Sequence, residues 1–157
     1  MKIAMFMTPS VLRMFKTGAQ FSRMHRGMKK GVKDAIEISA DTARGSIGGY
    51  SGLKNRSGYL RRSINTYVNS KTTSAVATIG SNAVYAAIHE HGGVVTTKVS
   101  NYLMFQTQSG WVKTKLVNIP PRPFLATAVD RNYFTMKQAI IKGINKEISN
   151  DLTVRVN

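Results

Sequence analysis

Pro120-Pro121-Arg122-Pro123-Phe124-Leu125-Ala126-Thr127-Ala128-Val129 decides how this chain of 157 residues is read. The three prolines lack backbone donors and bias the residues before them toward extended conformations, so the segment leading to Pro123 cannot be helical. Pro123 itself fits the first turn of a helix. From there Leu125, Val129, Tyr133, Met136, Ile140, Ile144, Ile148 and Leu152 recur at spacings of three and four, which predicts one long amphipathic helix. About 28 residues of helix span roughly 42 Å, enough to cross one face of a small sheet.

Upstream of the prolines the chain reads as strands. Val94–Val99 and Trp111–Val117 are β-like, Tyr102–Gln106 can form a strand between them, and Gln106–Gly110 is polar enough for a hairpin tip. Ala83–His91 reads as a short helix ended by Gly92-Gly93, which supply the backbone dihedrals favoured at a helix C-terminus. Before it, Ile64, Thr66 and Val68 alternate with polar or aromatic neighbours, and Ala75–Ile79 follows the turn Ser70–Ser74 as an apolar or β-branched run. Two antiparallel strands joined by that turn are the economical reading. Nearer the start, Phe21, Met24, Met28, Val32, Ala35 and Ser39 lie on one helical face, broadened by Ile36, Ile38, Ala40 and Ala43. Gly27 and Gly31 weaken that helix by roughly 1 kcal/mol each relative to alanine, so it must depend on packing or on a partner. The expected fold is α+β: an antiparallel sheet of about four strands against a long C-terminal helix, with an N-terminal helix and a short helix between strands. One domain is expected, with residues 1–55 a basic helical arm and glycine-rich loop, 56–150 the α+β core and 151–157 a tail.

The formal net charge is +16, from 23 Lys and Arg against 7 Asp and Glu. Such a field suits nucleic acid or acidic protein partners. Its distribution is uneven: residues 1–62 hold 13 basic and 3 acidic side chains, whereas 63–100 hold only Lys71, Glu90 and Lys98. The basic character therefore belongs to the two ends. Arg23, Arg26, Lys29, Lys30 and Lys33 lie mainly off the apolar stripe of the N-terminal helix and form a candidate basic docking surface, to an acidic partner or nonspecifically to DNA. The absence of cysteine excludes a disulfide framework, thiolate metal sites and a cysteine nucleophile. No apolar run reaches the length of a membrane span, and Met1–Phe15 lacks the pattern of a cleaved signal.

Signals for chemistry are thin. His89 and His91 are two apart, which on a helix points them about 200° from each other and argues against a shared metal. Six of the seven carboxylates fall on the expected amphipathic helices, where pairing with nearby cations or solvent is the ordinary fate. Glu90 is the exception, set between two histidines and near Tyr85. No phosphate-binding loop, nucleophile elbow or triad signature is present, and no cofactor is expected.

Two stretches carry a resemblance. Arg56-Ser57-Gly58-Tyr59-Leu60-Arg61-Arg62-Ser63-Ile64 is followed by Tyr85-Ala86-Ala87-Ile88-His89-Glu90-His91-Gly92-Gly93, and then by Ile119-Pro120-Pro121-Arg122-Pro123-Phe124-Leu125. This order resembles tailed-phage tail-completion and virion-morphogenesis proteins, the small neck proteins that join tail to head, over Arg56 to about Val129. Ser57 stands where those proteins usually have threonine, and His91 where an aromatic is common. The resemblance implies a structural motif of Gly58, Leu60, Ser63, Ile64, Tyr85, Glu90, Gly92, Gly93, Pro121, Arg122, Pro123, Phe124 and Leu125. It also implies a non-enzymatic protein that assembles with itself as a ring, commonly a hexamer, at the head-proximal end of the tail. Its other partners would be the tail tube or terminator and the head connector, in the virion after assembly in the host cytoplasm. A tail-terminator role, or a basic nucleic-acid-binding protein, is the alternative. Arg122, held between prolines, reads either as an ion-pairing or hydrogen-bonding post, to Glu90 within a subunit or across an interface, or as a surface arginine in a rigid turn.

Overall fold

Two long helices, α1 (Gly18–Ser46) and α4 (Leu125–Val154), lie antiparallel against each other in a computed structural model that describes residues 2–6, 18–49, 52–98, 100–107 and 109–154. Their pairing can be followed end to end. Arg26 reaches Glu147 at 3.6 Å, Ser39 Oγ donates to Met136 Sδ, and Asn132 Nδ2 donates to Thr42 Oγ1 at 2.8 Å. Between these contacts the backbones come close at Gly27, Gly31 and Gly143: a β-carbon built on Gly143 would stand 2.7 Å from the Gly31 Cα. The glycines that read as weak points of α1 are thus the surface on which α4 sits.

The other elements in order are β1 (Lys2–Phe6), α2 (Tyr59–Arg62), β2 (Ile64–Lys71), β3 (Ser74–Ser81), α3 (Ala86–His91), β4 (Gly93–Thr96), β5 (Leu103–Thr107), β6 (Gly110–Thr114) and β7 (Leu116–Ile119). The α+β class and the long C-terminal helix agree with the sequence pattern. The strands, however, are shared among three antiparallel sheets rather than one: β1-β3-β2, β4-β7 and β5-β6. In the first sheet Ile64, Ala75, Ala77 and Ile79 are buried while Asn65, Tyr67 and Asn69 face out, the alternation of a half-covered sheet. The strand β1, which no local pattern in the sequence announces, pairs with β3 from Lys2 opposite Thr78 to Phe6 opposite Ser74.

The layer directly behind this sheet is α1. Glu37 of α1 accepts a hydrogen bond from Thr66 Oγ1 of β2, and Arg44 donates to the Ile64 carbonyl at 3.0 Å. Its buried residues, Met24, Met28, Val32, Ala35, Ile36, Ser39, Ala40 and Ala43 among them, serve both neighbours, α4 and the sheet. That explains a buried band wider than the roughly 100° stripe of an ordinary surface helix. Residues 1–55 are thus not only a basic arm: they hold the central helix of the core, which joins Phe124, Ala128, Val129 and Met136 of the C-terminal region. Because α4 extends to Val154, the first four residues of the expected tail are helical; residues 155–157 lie outside the described part.

On α4 the buried track runs through Ala128, Val129, Met136 and Gly143, with Asn132 half-buried. Tyr133, which the spacing places on the apolar stripe, is 69% exposed. Among the described residues the two-stranded ladders contribute nothing to the buried core, and Val94, Met104, Trp111 and Leu116 on them are more than half exposed. No described helix is long and apolar enough to cross a membrane.

Candidate functional site

The proline turn meets the end of α3, and one buried carboxylate makes the joint. Glu90 Oε2 accepts the backbone N–H groups of Phe124 at 2.8 Å and Leu125 at 3.0 Å, and Oε1 accepts that of Ala126 at 2.8 Å. These donors open α4 and have no acceptor within the helix. A carboxylate placed there satisfies them with charge-assisted bonds and meets the positive end of the helix dipole. Pro123 precedes them with no N–H to satisfy. A backbone bond from the Arg122 N–H to the His89 carbonyl, 2.7 Å, fastens the same two segments.

Gly92 lets the chain turn away beneath this clasp. Its φ of 71° and ψ of −179° are open to glycine alone, and a β-carbon there would stand 2.8 Å from Pro121 Cδ and 3.0 Å from the Ile119 carbonyl oxygen. From Gly93 the chain enters β4, which pairs with β7 from Gly93 opposite Ile119 to Thr96 opposite Leu116. The ladder thereby brings both ends of the clasp together, and Phe124, wholly buried, drives it into the core.

The upstream motif forms a second joint. Gly58 caps α2, Leu60 and Ile64 are buried, and Ser63 ends the helix. The Ser63 hydroxyl donates to the Leu60 carbonyl at 2.8 Å and lies 2.6 Å from Ser81 Oγ, while the Asn82 N–H donates to the Ser63 carbonyl at 3.1 Å. Ser63 thus ties the beginning of β2 to the end of β3. The two joints meet through aromatic rings: Tyr59 lies 6.2 Å from Tyr85, and Tyr85 stands edge-on to His89 at 5.8 Å.

The arrangement is suited to holding segments together. Both oxygens of Glu90 are engaged by the backbone of α4, and no ion pair with Arg122 forms. The Arg122 side chain is exposed and makes no ion pair among the described residues. His89 and His91 have no third ligand: no group of three His, Asp or Glu side chains lies within reach of one metal among the described residues. Of the candidate basic surface, Lys29, Lys30 and Lys33 are exposed, Arg26 pairs with Glu147, and Arg23 is half-buried and engaged.

Burial, reinforced by the charge of Arg122, holds the His89 imidazole below its ordinary value of 6.5. The folded protein resists a proton that the unfolded chain accepts, so this contribution to stability is complete above that value and declines as pH falls below it. His89→Gln is expected to flatten the dependence of the urea midpoint on pH between about 7.5 and 5. Identical pH profiles for the variant and the parent protein would refute this.

Residues 39–147 match the sequence profile of the phage virion morphogenesis family. No curated protein and no solved structure matches the chain.

Proposed function

Since that match covers more than two thirds of the chain and the protein therefore belongs to the phage virion morphogenesis family, we propose that it is a non-enzymatic tail-completion or head–tail joining protein that forms a ring at the head-proximal end of the tail. The observation that carries this reading is the contrast between a locked core and unprotected ladders. Glu90, Gly92 and Ser63 fix the positions of the strands, yet the strand pairs β5–β6 and β4–β7 hold out Met104, Trp111, Val94 and Leu116 to solvent. Isolated two-stranded ladders are marginal in water and exposed apolar clusters mark contact surfaces. Neighbouring copies in a ring would cover them, and the joints would set the angle at which each ladder leaves its subunit. The tail tube or terminator and the head connector would bind its two faces, in the virion after assembly in the host cytoplasm.

Native mass spectrometry of the purified protein, alone and with tail tube and connector proteins, tests the proposal. A closed oligomer, six copies for the ring implied by the family pattern, or a stable complex with either partner is the expected result. A persistent monomer that binds neither would overturn it.

A further inference from the structure

A groove of about 530 Å³ separates the loop before α2 from α3 and the proline turn. Lys54, Arg56 and Arg122 line it together with Tyr59, Tyr85 and His89, and among the described residues no carboxylate does. The three cations are exposed, and none has a side-chain hydrogen bond or ion pair among the described residues. Elsewhere the chain commits such groups: Arg44 holds Asp41 at 2.8 Å, and Arg62 donates to the Ser57 carbonyl at 3.2 Å. Exposed cations without counter-ions among the described residues, around an aromatic wall, form a surface complementary to an anion with apolar neighbours.

We infer that this groove receives an acidic, partly apolar peptide segment of another protein. Its carboxylates would be held by Lys54, Arg56 and Arg122 and its apolar side chains by Tyr59 and Tyr85. The aromatic geometry favours peptide over nucleic acid. Tyr59 and Tyr85 are tilted 47° to each other, and Tyr85 meets His89 at 84°, so the rings pack upon one another instead of standing as parallel platforms for successive bases. The groove lies between the two joints of the motif, so an occupant would bridge both. The inference goes beyond the proposed virion role and does not depend on it, because the charge and the aromatic geometry stand without it.

The test uses a fluorescent hexapeptide of sequence Glu-Glu-Leu-Glu-Glu-Leu, its counterpart with glutamine for glutamate, and a charge-matched oligothymidylate, titrated by anisotropy at physiological ionic strength. The acidic peptide is expected to bind and the glutamine peptide to bind much more weakly. The pair Arg56→Gln and Arg122→Gln should lower affinity for the acidic peptide by about tenfold or more, whereas Lys29→Gln with Lys30→Gln, an equal loss of charge on α1, should lower it by less than about twofold. Equal losses from the two pairs would reduce the effect to bulk charge and overturn the inference. So would the absence of peptide binding, or oligothymidylate binding that is the tighter and is lost with the groove pair. Because the substituted side chains are exposed and have no hydrogen-bond or ion-pair partner among the described residues, circular dichroism and unfolding midpoints at pH 8, above the range in which His89 responds to Arg122, should match the parent protein. Ring formation without peptide binding would sink this inference alone, and peptide binding by a persistent monomer would sink the ring alone.

Discussion

Replacing Glu90 with alanine is expected to destabilise the protein by about 3 kcal/mol, a large share of the 5–15 kcal/mol of a typical domain. Three N–H groups lose a charged acceptor at once, and that of Phe124 is buried, where water cannot readily replace it. An ordinary N-cap loss costs about 1 kcal/mol because solvent takes over the freed donors. Here the cap comes from another element, so its removal also unfastens α3 from α4. Glu90→Gln separates shape from charge: the amide fills the same space, but its NH₂ group must face a donor. It should cost about 2 kcal/mol. Urea denaturation reads both values, with an unchanged slope showing that the extent of unfolding is the same. A loss below about 0.5 kcal/mol for either variant would refute the clasp as a stabilising element.

What the sequence discloses and what it hides can be traced through the same residues. The strands β2 and β3, the short helix before Gly92 and the long helix after Pro123 are local facts. Alternation, positive-φ glycine and proline sterics act within a few residues, and their pattern survives into the structure. The role of Glu90 is not local, because its donors lie 34 to 36 residues away. Its company of two histidines suggests chemistry, whereas its partners are backbone amides. Tyr133 misleads for a similar reason. A side chain one position off the buried track satisfies the spacing rule, and only the docking of α1 selects Asn132 in its place through the bond to Thr42. For β1 the deciding partner is β3, more than 60 residues on, and five residues alone carry no signal strong enough to predict it.

The charge acquires a different meaning once α1 is placed. A basic helix read in isolation suggests a free arm seeking a polyanion. Packed between α4 and the sheet, the same helix uses Arg26 and Arg44 to bind Glu147, Asp41 and the Ile64 carbonyl. The cations left at the groove, Lys54, Arg56 and Arg122, come from the loop before α2 and from the proline turn. Arg56 and Arg122 belong to opposite ends of the motif in sequence, so a count along the chain does not show that the fold gathers them with Lys54 at one groove.

Gly143→Ala is expected to destabilise the protein by about 3 kcal/mol, against the direction that helix propensity alone gives, where alanine gains about 1 kcal/mol over glycine. The added methyl would lie 2.7 Å from Gly31 Cα and 2.8 Å from Gly31 N. Those atoms are backbone and cannot rotate away, so α4 must lift from α1 along the contact that runs from Arg26 to Thr42. Gly31→Ala meets the Ile140 carbonyl oxygen at 2.7 Å and should behave alike. An internal control is available: Gly45 is also in α1, but nothing lies within 4 Å of the position its β-carbon would take. Gly45→Ala should therefore be neutral or gain about 0.5 kcal/mol. The double variant of Gly31 and Gly143 should cost less than the sum of its parts, since helices already parted by one methyl have room for the second. Urea midpoints for the four proteins measure the cycle. A stabilised Gly143→Ala protein would mean that the helices are not in backbone contact, and strict additivity would mean that the two glycines do not share one interface.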